Sequence, residues 1–190
     1  MQKTTKQNNW LRGMGLALFS LPFLLFTQAV LAQTCNANAV ATTPDSDFTE
    51  HNDGTVTHKE TGLMWKVCSE GQAWSAGTCT GSSSTYTWDA ALQIPETLNA
   101  SVGYPSSSNY TDWRLPNVKE LKSITELKCF SPAINETVFP STASSWYWSS
   151  SPDANTGSGG AWGVHFYNGY DDYGNDRISS YRVRLVRSGQ

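Results

Sequence analysis

The sequence predicts an α+β fold: two helices with a small, mainly antiparallel twisted sheet and long loops. Three observations carry that expectation. Alternating runs at residues 55–58 and 63–67 flank a Lys59-Glu60-Thr61-Gly62 turn, which marks an early hairpin. Two short stretches, near residues 88–94 and 117–127, read as helices. A late group of runs, at 146–150, 161–167 and 182–187, reads as strands separated by Gly, Ser and Asn turns. Strands near both ends with helices between them suit an antiparallel sheet closed by the terminal strands.

In chain order, residues 1–32 read as an export signal. Lys3, Lys6 and Arg12 form a basic start, Met14 to Phe26 an apolar core too short for a membrane span. Val30 and Ala32 place modest side chains before a cut at Gln33. A lipid anchor requires Cys at the cut, and Cys35 comes after Gln-Thr. The expectation is a soluble exported protein, periplasmic, cell-surface or secreted, without a transmembrane segment once the signal is removed. Residues 33–52 read as an irregular lead-in tied down by Cys35, and residues 53–189 as one domain.

Cys35, Cys68, Cys79 and Cys129 are the only cysteines, and an even number in an exported chain favours two disulfides. Four cysteines allow three pairings. The expected one is Cys68–Cys79, closing a short polar loop, with Cys35–Cys129, pinning the lead-in to the end of the central helix. Thr87 can cap a short helix from Trp88 to about Ile94, which Pro95 tends to end. Residues 95–110 are loop-like.

The central stretch is Thr111–Ile124. Asp112-Trp113-Arg114-Leu115 alternates as a half-buried strand does, and Pro116 disfavours helix at Leu115. Asn117 with Glu120 has capping-box spacing, and Val118, Leu121 and Ile124 follow three apart on a helical face that runs to about Leu127. Trp113 and Leu115 read as core anchors and Arg114 as a partly buried ion-pair partner. Residues 129–145, with Pro132 and Pro140, form an irregular connection.

The chain carries 13 Lys+Arg against 16 Asp+Glu, and three of the cations lie in the signal. That excludes a general nucleic-acid binder, which needs a basic footprint. No metal or other cofactor is expected. There is no C-x2-C pair, and Asp171, Asp172, Asn175 and Asp176 supply oxygens at a spacing that fits no EF-hand loop. His51, His58 and His165 are scattered. Gly77-Thr78-Cys79-Thr80-Gly81 formally matches a nucleophile elbow but lacks the strand before and helix after that the elbow needs. With no catalytic constellation, the expectation is a non-enzyme.

The unusual composition is in the polar loop 167–181. Tyr167, Asn168, Tyr170, Asp171, Asp172, Tyr173, Asn175 and Asp176 crowd it, the mixture of rigid rings and adaptable polar groups that paratopes use. With Trp162, His165 and Tyr181 they form the candidate ligand face, whose partner is an extracellular glycan or protein.

Four motifs also carry a resemblance. They are Thr61-Gly62-Leu63-Met64-Trp65, Trp113-Arg114-Leu115-Pro116 with Glu120, Trp148-Ser149-Ser150, and Val183-Arg184-Leu185-Val186-Arg187. Together, from about Asp53 to Gly189, the chain resembles the Lcl C-terminal domain family, named for a Legionella collagen-like adhesin. The resemblance implies a bacterial protein with a C-type lectin-like fold, a loop-rich binding face and glycan recognition. Calcium lectins of that fold use Glu-Pro-Asn or Gln-Pro-Asp, and neither occurs here. The Arg-Leu-Pro corner is similar to that of the formylglycine-generating (sulfatase-modifying) family, so the alternative is an enzyme of that type or another hydrolase. Its late cysteines are absent after Cys129. A further alternative is a retroelement-diversified receptor, because Tyr, Asn, Asp and Ser are the residues adenine mutagenesis produces.

Overall fold

A computed structural model of the protein describes residues 1–2, 32–100, 110–154 and 159–189. The chain divides into two units, Met1–Val30 and Leu31–Gln190, and the second is described here. The expected export signal lies outside the described residues.

The early hairpin forms as β3 (Thr55–His58) and β4 (Leu63–Lys66), in register Val56 opposite Trp65 and His58 opposite Leu63. Gly62 takes φ +66 in the connecting turn, a conformation that suits glycine. Two more strands complete an antiparallel sheet of order β11-β4-β3-β2: β2 (Phe48–Glu50) and β11 (Val186–Ser188). The closing strand therefore does pair with the early hairpin. It is shorter than residues 182–187 suggest: Tyr181 and Arg182 make isolated bridges to Tyr86 and Tyr147 instead.

The lead-in is less irregular than expected. β1 (Thr34–Cys35) pairs with β7 (Cys129–Phe130), and a 3-10 turn at Asp45–Asp47 leads into β2. Its anchor is Glu126, whose carboxylate accepts the Thr42, Thr43 and Lys128 backbone N–H groups at 2.9–3.0 Å. The loop between Cys68 and Cys79 also holds a hairpin, β5 (Ala73–Ser75) with β6 (Thr78–Thr80). Trp74 packs against the core from it, an apolar anchor that the polar composition concealed. The disulfides are Cys35–Cys129 and Cys68–Cys79.

Helix α1 (Trp88–Ala100) runs through Pro95 rather than ending there. Pro95 forgoes the N–H bond to the fourth residue back, but its ring is buried, and that packing outweighs the local preference. Helix α2 (Val118–Lys122) starts as expected. The Asn117 side chain accepts the Glu120 N–H at 2.9 Å, and Glu120 accepts the Asn117 N–H at 2.8 Å. Glu120 also takes a bidentate pair from Arg114 at 2.6 and 2.7 Å. Burial opposes the Glu120 charge, yet Arg114 and Asn117 outweigh it and hold its pKa below the usual value. The helix stops at Lys122, well before Leu127. Ser123 and Thr125 hydroxyls turn back onto the Glu120 and Lys122 carbonyls, and Thr125 then bridges Ile134.

The second sheet has order β10-β9-β8, with β8 (Trp146–Pro152), β9 (Ala161–His165) and β10 (Tyr170–Asn175). Two apolar clusters hold the sheets together. One joins Val56, Trp65, Leu121, Ile124, Phe139, Tyr147, Val164 and Phe166. The other joins Met64, Trp88, Trp113, Leu115, Trp148, Val183 and Leu185. Between them runs Arg184, fully buried, donating to the Val67 and Lys66 carbonyls and to Thr142 Oγ1. Burial lowers its pKa, and these acceptors take the place of water around its charge. The domain is thus mixed α and β, with small antiparallel sheets and two helices.

Candidate functional site

The register of β8, β9 and β10 sorts side chains onto two faces, since directly opposed residues share a face and neighbours alternate. Val164 lies opposite Tyr147 and Asp171. Val164 and Tyr147 are fully buried beside Leu121, so this is the inner face. Lys122 of α2 reaches it, donating to the Gly169 carbonyl at 2.6 Å and pairing with Asp171.

His165 lies opposite Trp146 and Tyr170, and Gly163 opposite Trp148 and Asp172. These lie on the other face, where Trp148 is fully buried in the second apolar cluster and Trp146 and His165 are half-buried; it is called the outer face here. Trp146 meets His165 edge-on with ring centroids 4.8 Å apart, and Tyr181 stacks on Trp146 at 5.8 Å and on Trp148 at 4.3 Å. Tyr167 extends the series from His165, at 6.1 Å, to Phe130, at 6.0 Å. A Cβ at Gly163 would stand 3.3 Å from the Trp146 ring and 3.4 Å from the Asn175 amide. Glycine there lets the Trp146 ring and the Asn175 amide close over the β9 backbone. The Tyr181 hydroxyl donates to Asn175 Oδ1 at 3.1 Å and fixes that edge. Burial pushes the His165 pKa below its ordinary 6.5, and its Nδ1 accepts the Tyr167 N–H at 3.1 Å.

The candidate residues divide between the faces. His165, Tyr170, Asp172, Asn175 and Tyr181 come together on the outer one, with Tyr167 at its margin. Trp162 and Tyr173 contact each other at 5.3 Å on the inner side, beside Asp171. Asn168 Oδ1 accepts the Tyr170 N–H, and Asp176 Oδ1 accepts the Ile178 N–H; both serve turns. The expected loop 167–181 is thus corrected: its centre is the edge strand β10, held by pairing with β9. Among the described residues no group of three or more His, Cys, Asp or Glu is placed to hold a metal ion.

Three contributors escape the sequence reading: Trp146, Gly163 and Phe130. The alternation Trp146-Tyr147-Trp148 places the two tryptophans on one face. Only the pairing with β9 tells which face stays open. Phe130 arrives from a segment 37 residues before Tyr167 in the chain and gives no local signal.

The Asn99 amide donates to the Trp113 carbonyl at 2.8 Å, and the Asn135 amide to the Thr43 carbonyl and Asp45, so both nitrogens serve the fold. An open cavity of about 430 Å³ beside α1 is lined by Tyr86, Ala90, Ile94 and Leu98, and its one carboxylate, Glu70, pairs with Lys66 at 2.9 Å.

The family model of the Lcl C-terminal domain matches residues 54–187. The chain belongs to the Lcl C-terminal domain family. No curated protein and no solved structure matches it. Within this Lcl C-terminal domain the match takes in both helices, the β3–β4 hairpin and all of the second sheet. β1, the 3-10 turn and β2 precede it. No helix among the described residues is long and apolar enough to cross a membrane.

Proposed function

We propose that this Lcl C-terminal domain is an exported, non-enzymatic adhesion module on a C-type lectin-like scaffold. It recognises a glycan or a surface protein through the outer face of β8, β9 and β10. The observation that carries the reading is the group of rings at one end of that face: Trp146, His165 and Tyr181 are partly exposed and Tyr170 is 57% exposed, beside Trp148 and Ala161, which the second apolar cluster buries. Rigid rings bind with little loss of conformational freedom, which is why recognition surfaces favour them. The family's adhesin namesake supports an adhesive role, and two disulfides support export.

The test is adhesion of the purified, oxidised domain to cell surfaces and to a glycan array. The wild type binds. Tyr170→Ala, with Tyr170 57% exposed, reduces binding and leaves the fold intact. Tyr173→Ala, on the other side of the strand, has the smaller effect. A Tyr170→Ala protein that adheres like wild type would sink the assignment of the face.

A further inference from the structure

We infer that the β9–β10 turn is an acid-sensitive latch on the binding face: a proton added to His165 breaks its hydrogen bond with the Tyr167 N–H and loosens the turn that carries Tyr167 and Tyr170. The inference rests on the binding-module reading above and adds the regulation of that site.

The turn is tied to one residue. The Tyr167 N–H donates to His165 Nδ1 at 3.1 Å, and the Gly169 and Asn168 N–H groups donate to the His165 carbonyl at 2.9 and 3.3 Å. The Asn168 side chain in turn accepts the Tyr170 N–H at 3.1 Å. A side-chain acceptor for the N–H two residues on recurs in this domain: Asn135 serves Thr137 and Asp176 serves Ile178 in the same way. Those acceptors are an amide and a carboxylate, and both still accept at mildly acid pH. At residue 165 the acceptor is an imidazole nitrogen instead. Nδ1 accepts only while the ring is neutral with its proton on Nε2. The imidazolium carries a proton on each nitrogen and accepts nothing. Two N–H groups would then face each other where one bond now stands.

The surroundings favour the neutral ring. Burial lowers the His165 pKa below 6.5, and no neighbouring carboxylate raises it again. From β8 the ring meets Trp146, and from the turn Tyr167. β10 places Tyr170 opposite it and Asp172 further along the same face, where the Asp172 carboxylate accepts the Tyr173 N–H. Arg182 gives its backbone N–H to the Trp146 carbonyl and its Nε to the Ser83 hydroxyl. Lys122 and Asp171 pair on the inner face. The segment that packs on the turn brings Phe130, with Lys128 two residues before it. Because the folded-state pKa lies below the unfolded value near 6.5, the bond is kept above that pH and lost as pH falls through the folded-state pKa. Tyr167 is 45% exposed, with its ring on Phe130 at 6.0 Å and its carbonyl accepting the Ser131 N–H at 2.8 Å. Losing the bond therefore disturbs the exposed end of the face, while the fully buried Val164 and Phe166 keep β9 in place.

The experiment is an NMR titration of the oxidised protein from about pH 8 to about pH 5. The His165 ring and the Tyr167 amide should move together, with one midpoint below 6.5. His165→Asn places an Oδ1 where Nδ1 stands and does not titrate, so its Tyr167 amide should stay in position throughout. Below the wild-type midpoint, the wild-type Tyr167 amide should exchange with solvent roughly tenfold faster than that of His165→Asn at the same pH. A ring that titrates without moving the Tyr167 amide overturns the inference, and so does a ring that stays neutral throughout. Should His165→Asn fail to fold, the coincidence of the two wild-type midpoints still decides. Adhesion of the wild type to intact cells should fall severalfold across the midpoint, whereas His165→Asn, measured against its own level at neutral pH, should not respond. Wild-type adhesion that ignores the midpoint overturns the regulation. A coupled titration with no adhesion at any pH overturns the binding-module reading and leaves the latch standing.

Discussion

The β3–β4 and β9–β10 hairpins are both short antiparallel ribbons, yet they are used in opposite ways. β4 lies between the two apolar clusters, with Trp65 in one and Met64 in the other, and β3 places Val56 and His58 almost wholly out of water. β10 is an edge strand with Tyr170 57% and Tyr173 49% exposed, and β9 buries Val164 while leaving His165 half-buried. A ribbon covered on both faces is scaffold, and its side chains are bound by packing. A ribbon covered on one face can change its outer residues without disturbing the core. Substitutions should therefore separate: stability is lost from the first hairpin and binding from the second.

The largest expected effect tests that separation directly. Trp65→Ala should destabilise the domain by about 3–5 kcal/mol in urea unfolding, through lost burial and the cavity left behind. Tyr170→Ala should stay within about 0.5 kcal/mol of wild type in the same measurement. Equal losses would mean that the two hairpins do not differ as described.

Removing the Cys35–Cys129 bridge by the double substitution Cys35→Ser, Cys129→Ser should cost about 2–4 kcal/mol, since it closes a long loop in the unfolded chain. Binding through Trp146, His165 and Tyr170 should persist, because they belong to the β8–β9–β10 sheet, whereas Phe130, which follows Cys129 on β7, touches only Tyr167 at its margin.

Glu126→Gln should cost about 1–3 kcal/mol by weakening the hydrogen bonds that hold the lead-in. Burial alone would raise this carboxyl's pKa, but the Thr42, Thr43 and Lys128 N–H groups outweigh it and hold it below 4.5. A depressed folded-state pKa means stabilisation present above the unfolded value near 4.5 and lost as pH falls through the folded one. Thermal unfolding of Glu126→Gln should therefore lose part of the wild-type acid limb.

The smallest effect concerns His58. Burial lowers its pKa below 6.5, with nearby Glu60 and Asp47 opposing only in part. The folded state then holds the ring neutral, stacked on Phe48 at 4.9 Å, while the unfolded chain takes up a proton near pH 6.5. Stability should decline as pH drops from 6.5 towards the folded-state pKa, and His58→Phe should flatten that slope. An unchanged slope in the variant would assign it to another group.

Much of the scaffold was legible in the chain. The hairpin at Thr55–Lys66 follows from alternation around a Gly-bearing turn, and α2 begins where Asn117 and Glu120 satisfy each other's backbone groups. Other elements were hidden because a distant partner makes them. Pro95 reads as a helix stop, and only the burial of its ring against the rest of the fold carries α1 past it. Tyr170–Asn175 reads as loop, since an edge strand open on one side needs no regular apolar period. The 161–165 pairing makes it a strand.

By itself, the sequence determined the local geometry: the capped corner at Pro116–Glu120, the early hairpin, and a stretch rich in tyrosine and aspartate near the end. Those depend on residues three or four apart, or across one tight turn, so nearby side chains suffice. Tertiary structure alone decided which residues of that stretch act together. Tyr170 and Tyr173 look equivalent in the chain, but the β9 register sends Tyr170 to the ring row and Tyr173 to Trp162 on the opposite side. The same register puts Trp146, half-buried, and Tyr147, fully buried, on opposite faces, because a strand alternates its faces; what packs on each face decides its cover, and Trp148, on the Trp146 face, is buried by the second cluster.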